Sequence, residues 1–173
     1  MFLRALLLAA CVLVAPAGAA FAASSPFSPA SLIATLQGGG FAAKTFPLPH
    51  SAPGLEGAVA TTVNGAKVVI FVGKCDGPAD GEVCSLYLSS TFTDDKNLLS
   101  ADMITRMNGK MTFSKATLQA HPGGGVGFFI SYAFPTKGLT DPHYLLTVLQ
   151  GFSMDLGRAV GVYKVAMDAK KQP

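Results

Sequence analysis

The chain has 173 residues, half of them hydrophobic and 13% charged, with a formal net charge of only +3 at pH 7. The basic residues are scattered apart from Lys170-Lys171 at the tail, so the electrostatic footprint of a nucleic-acid-binding domain is missing. The length suits one domain with a real core, and no apolar run beyond the N-terminus approaches a membrane span.

The N-terminus reads as a cleaved secretory signal. Arg4 gives the positive charge, Ala5 to Val14 the apolar stretch, and Ala20-Phe21-Ala22 the small-residue cleavage site. Such a segment is too short and wrongly flanked for a permanent span. Cleavage after Ala22 leaves about 151 residues carrying about +2, expected in the periplasm or outside the cell. Cys11 after Leu8-Ala9-Ala10 also fits a lipid-anchor box by its letters, but cutting there would leave an apolar core of about six residues. Residues 23–28 are expected to be a flexible leader, 29–165 a single domain and 166–173 a tail.

Ser28 caps a first helix that opens with Pro29, runs through Leu32, Ile33 and Leu36, and stops at Gly38-Gly39-Gly40. "FAAKTFPLP" is a first strand, ended by Pro47 and Pro49. The run from Ala58 to Gly73 is a hairpin, since Asn64-Gly65 is the favoured type I′ turn pair between Val- and Thr-rich runs. Its second strand is apolar on both faces, with Val68, Ile70 and Val72 on one side and Val69 and Phe71 on the other, as in a central strand. "VCSLYLSSTF" alternates Leu86, Leu88 and Phe92 against Tyr87, Ser89 and Thr91. Ser100 starts a short helix ended by Asn108-Gly109. Two strands, "MTFSKATLQA" and "VGFFISYAF", follow, and then a long amphipathic helix capped by Thr140 with Pro142 in its first turn. The order is α-β-β-β-β-α-β-β-α. Short connections within each strand group require antiparallel pairing. The expected class is α+β: one antiparallel sheet of five to six strands with helices packed on it.

"KCDGPADGEVC" holds Cys75 and Cys84, the two cysteines left after export. An oxidising compartment joins such thiols across a turn rich in Gly and Pro. A redox pair is usually C-x-x-C beside a helix start, which is absent here. Asp76, Asp80 and Glu82 lack the ligand order of a calcium loop. His50, His121 and His143 share no zinc spacing. "GGGVG" (Gly123 to Gly127) lies between two strands and has no Lys-Ser/Thr after it, so it is a turn and not a phosphate loop. Ser153 sits mid-helix and not on a nucleophile elbow. Gly157 and Gly161 suit close packing near a helix end. Asp94, Asp95, Asp102, Asp141 and Asp155 form no acid/base pair on one element. No catalytic residue, metal site or cofactor is expected.

The segments "SPASLIATLQGGGFAAK", "GAKVVIFVGKCDGPADGEVCSLYLSSTF" and "ITRMNGKMTFSKATL" resemble the YbjN family of bacterial proteins, labelled sensory transduction regulators. The resemblance runs from about Pro29 to Arg158. Asn108, Lys110, Phe113 and Ala116 fall on a family pattern in which Met107 replaces the usual tryptophan. It implies a curved sheet with helices packed on it, like that of type III secretion chaperones and often dimeric, and it transfers no catalytic residues.

Three helices of modest length cannot cover both faces of such a sheet. The uncovered face is expected to be apolar, with Val69, Phe71, Tyr87 and Phe129 as partner-binding residues for a protein, a peptide or a second copy. Two alternatives stand beside this non-catalytic reading. One is a redox- or metal-responsive envelope sensor using Cys75 and Cys84. The other is an enzyme assembled from His121 or His143 with Asp141 and Tyr132.

Overall fold

A computed structural model describes residues 25–48, 52–74, 83–94, 98–120 and 125–170. The signal segment, Cys11, His50, Cys75, Asp76, Asp80, Glu82, Asp95, His121, Gly123, Gly124 and Lys171 lie outside the described residues.

The chain order is α1 (Pro29–Gly38), β1 (Ala43–Thr45), β2 (Leu55–Val63), β3 (Ala66–Lys74), β4 (Val83–Thr93), α2 (Ala101–Asn108), β5 (Lys115–Ala120), β6 (Val126–Pro135) and α3 (Tyr144–Ala169). This is the expected order. The strands form one antiparallel sheet arranged β1-β2-β3-β4-β6-β5. Each strand group is locally paired as short loops require. The groups meet where β6 docks on β4, and α2 carries the chain across to the far edge.

Local chemistry sets the boundaries. Ser28 Oγ accepts the Ser31 N–H at the start of α1, and Pro29 occupies the first turn. The helix ends in a paired closure: the Phe41 N–H donates to Leu36 O at 2.9 Å and the Gly40 N–H to Gln37 O at 3.0 Å. Gly40 has φ 84°, the left-handed position that this motif assigns to glycine. At the β2–β3 turn Asn64 has φ 49° and Gly65 φ 80°, as a type I′ turn needs. Ser100 Oγ accepts the Met103 N–H and caps α2.

Several boundaries differ from expectation: β1 is only Ala43–Thr45, and β5 begins at Lys115 and not at Met111, because Asp155 holds the 112–114 backbone. Phe27 is 1% exposed and belongs to the core, so the chain is anchored before Pro29. It precedes the cap residue, and Leu32 four positions after the cap is buried with it, the arrangement of a hydrophobic staple. α3 begins at Tyr144, because Asp141 and not Thr140 organises its entry: the Asp141 carboxylate accepts the His143 N–H at 2.9 Å. α3 also continues to Ala169, four residues beyond the expected domain end, and Ala166 packs on the core.

All three helices lie on one face of the sheet. That face presents Val59, Val63, Val68, Ile70, Val72, Leu86, Leu88, Phe128 and Ile130, all at most 4% exposed, to Leu32, Leu36, Met103, Met107, Leu149 and Phe152 of the helices. Among the described residues no helix is long and apolar enough to cross a membrane.

Candidate functional site: the helix-free face of the sheet

The strand register decides which side chains share the second face. Ala58, Phe71, Tyr87 and Ala133 are successive partners across β2, β3, β4 and β6. Val69 pairs with Ser89, which pairs with Ser131. Phe129 pairs with Thr91 and Thr117. Neighbouring residues on a strand point to opposite faces, and Ile70, Leu86, Leu88 and Ile130 point into the helix layer. Val69, Phe71, Tyr87 and Phe129 therefore all lie on the side away from the helices.

Phe46, just past β1, joins them. Its N–H donates to Ala58 O at 2.8 Å, and its ring meets Phe71 edge-on at 6.5 Å between centroids. Phe71 lies 6.2 Å from Tyr87. The Lys67 ammonium stands 4.9 Å above the Phe46 ring, within range of a cation–π attraction. These residues edge a shallow depression of about 250 Å3 lined by Phe46, Lys67, Val69, Phe71, Ser89 and Thr91. A second hollow, of about 790 Å3, follows the β1 edge from Ala42 to Pro47.

The face is not the continuous apolar surface expected from helix count. Its apolar part is an aromatic strip over β2, β3 and β4. Much of the remainder is polar: Ser89, Thr91, Ser131 and Thr117 carry hydroxyls, and Lys115 and Gln119 share the face by register. Phe129 stands among the hydroxyls, four residues along β6 from Ala133, and does not join the strip. Tyr87 is 38% exposed, while Phe46, Val69, Phe71 and Phe129 are half-buried.

Other candidates resolve differently. His143 Nδ1 lies 3.0 Å from Asp141 Oδ1, but both side chains are over 70% exposed. The His143 backbone N–H, helped by its ring, holds the Asp141 carboxyl below the usual range. That is a helix-entry turn. Tyr132 packs its ring against Phe113 and Phe134. Ser153 Oγ accepts from Asn64 Nδ2 at 2.6 Å, tying the hairpin tip to α3. Cys84 lies beside Val83, whose direct partner is Lys74.

Sequence reasoning missed the polar anchors. Asp155 is completely buried in α3, and its carboxylate accepts the backbone N–H groups of Thr112, Phe113 and Ser114 at 2.9, 2.8 and 2.9 Å. Arg158 pairs with it at 3.2 Å. Burial pushes the Asp155 pKa upward, but the three backbone donors prevail and the carboxyl is held below its ordinary value. Asp94 is also buried, and accepts the Leu99 N–H at 2.7 Å and the Tyr163 hydroxyl at 2.6 Å. Asn108, one of the family-pattern residues, clasps the backbone of Ala116: its Oδ1 accepts the N–H at 2.7 Å and its Nδ2 donates to the carbonyl at 3.0 Å. The available signal for Asp155 was an acid within the apolar stripe Leu145, Leu149, Phe152 and Leu156.

No protein-family model matches the chain, and no curated protein does. Solved structures resemble it. An uncharacterised protein from Methanothermobacter thermautotrophicus superposes with a TM-score of 0.55 at 11% identity, over 82% of this chain and 98% of that one. YbjN from E. coli gives a TM-score of 0.49 at 13% identity, over 75% and 87%. At 11% identity the likeness to the first concerns the fold alone.

Proposed function

We propose that this is an exported, non-catalytic binding protein of YbjN-like fold, which receives a protein or peptide partner, or a second copy of itself, on the helix-free face. The observation that carries this reading is the strip Phe46–Phe71–Tyr87, set on a face that none of the described helices covers. Aromatic side chains offer large contact area at low entropic cost, and they dominate interface energetics. Lys44 and Lys67 border the strip and suit a partner with carboxylates. Secretion chaperones are an analogy at the level of fold alone. The Cys75–Cys84 disulfide belongs to the same reading, as a brace for the strand ends. The direct pairing of Lys74 with Val83 supports it, since the 75–82 connection leaves and re-enters at neighbouring positions.

Light scattering on the mature chain, alone and with cell-envelope extract, tests the proposal. The expected result is a dimer alone or a heavier particle with extract, lost in a Phe71→Ser/Tyr87→Ser variant with an unchanged far-UV spectrum. A monomer under both conditions, or a mass indifferent to the double variant, overturns it.

A further inference from the structure

In the helix layer, the last turns of α3 are covered on one side only, where Val162, Tyr163 and Ala166 pack against the core. The helix's last fully buried residue is Ala159, and ten more helical residues follow, about 15 Å of helix. Along these turns Val162, Val165, Ala166 and Ala169 recur at the spacing of one helix face. Val165 is 72% exposed, more than any other large apolar side chain among the described residues. Opposite stand Leu98 and Met103, and the space between is a groove of about 760 Å3, within the usual range of about 300–1,000 Å3 for small-ligand sites.

Among the described residues, the groove's charge has one sign: Arg106, Lys110 and Lys170 line it and no carboxylate does. Asp102 holds Arg106 at 2.6 Å and Lys170 has an interaction of its own, so an incoming anion draws chiefly on Lys110. A folded protein partner takes about 20–30 residues from each side, whereas ten residues line this groove. The apolar floor from Val162 to Ala169 spans seven helical positions, about 10 Å, and with its cationic rim it matches a molecule with one tail and one negative head.

We propose that this groove binds a single-chain fatty carboxylate, its tail along Val162, Val165 and Ala169 and its head at Lys110. The site is separate from the helix-free face and stands or falls independently of it. The test titrates the mature protein with monomeric decanoate, dodecanoate and dodecanol, followed by calorimetry and backbone amide shifts. Each added methylene is expected to tighten binding about two- to fourfold, and the carboxylate to bind about fivefold tighter than the alcohol. Val165→Asp, at an exposed position, should abolish binding of all three ligands. Lys110→Glu should remove only the preference for the acid, and Phe71→Ser/Tyr87→Ser should change neither. Equal affinity for acid and alcohol, binding that survives Val165→Asp, or adsorption to anionic phospholipid vesicles without binding of monomeric dodecanoate would each overturn the proposal.

Discussion

Asp155 turns the 112–114 segment toward the helix layer by supplying the acceptors that its backbone lacks. A buried N–H without a partner costs free energy comparable to a lost hydrogen bond, and three would be stranded together. Asp155→Ala is therefore expected to lower stability by about 3 kcal/mol or more, read as a lower urea midpoint. The contribution depends on charge. A carboxyl whose folded pKa lies below its unfolded value stabilises fully above the unfolded value, about 3.9, and loses that contribution as pH falls through the folded one. The stability gap between the wild type and Asp155→Asn should be constant near neutrality and shrink below about pH 4. The acid was visible in the sequence, but its partners were not. They lie more than forty positions away, and a backbone donor leaves no mark in the letters.

Elements were more legible than residues, because their signals are local. Ser28 with Pro29, the Gly38-Gly39-Gly40 stop, Asn64-Gly65 and Ser100 each do in three dimensions what their chemistry dictates. The entry to α3 was misplaced because Thr140, Asp141 and Pro142 all favour helix starts, and only geometry shows which side chain reaches a free N–H. The docking of β6 on β4 was also hidden, since non-local pairing has no turn to announce it. Edge strand β5 depends on Asn108, whose amide imitates a neighbouring strand at Ala116 and shields part of an otherwise open edge. Asn108→Ala should cost about 2 kcal/mol and also raise the aggregation rate during refolding, followed by static scattering. Loss of stability without faster aggregation would show that the clasp does not guard the edge.

For the whole molecule, the helix-covered face was legible from alternation, whereas the second face was read as more apolar than it is. Helix count bounds how much surface is covered but not what the uncovered hydroxyl positions carry. If the proposed Cys75–Cys84 bridge forms, it closes a loop of about ten residues, and reduction should lower stability by about 2–3 kcal/mol on the chain-entropy estimate. Intact mass with and without reductant, paired with urea midpoints, checks both parts.

The fastenings of the helix layer converge on one element. The hairpin tip reaches Ser153, the 112–114 turn reaches Asp155, and Asp94 reaches Tyr163. At the end of α1, a Cβ on Gly39 would come within 2.8 Å of Leu146. All four receiving residues belong to α3, the last of the three described helices. A growing chain thus lacks these clasps until α3 has been made, and the elements before it stay pliable until then. Stalled nascent chains ending near residue 140 should be digested by protease as readily as an unfolded control, and full-length released chains should resist.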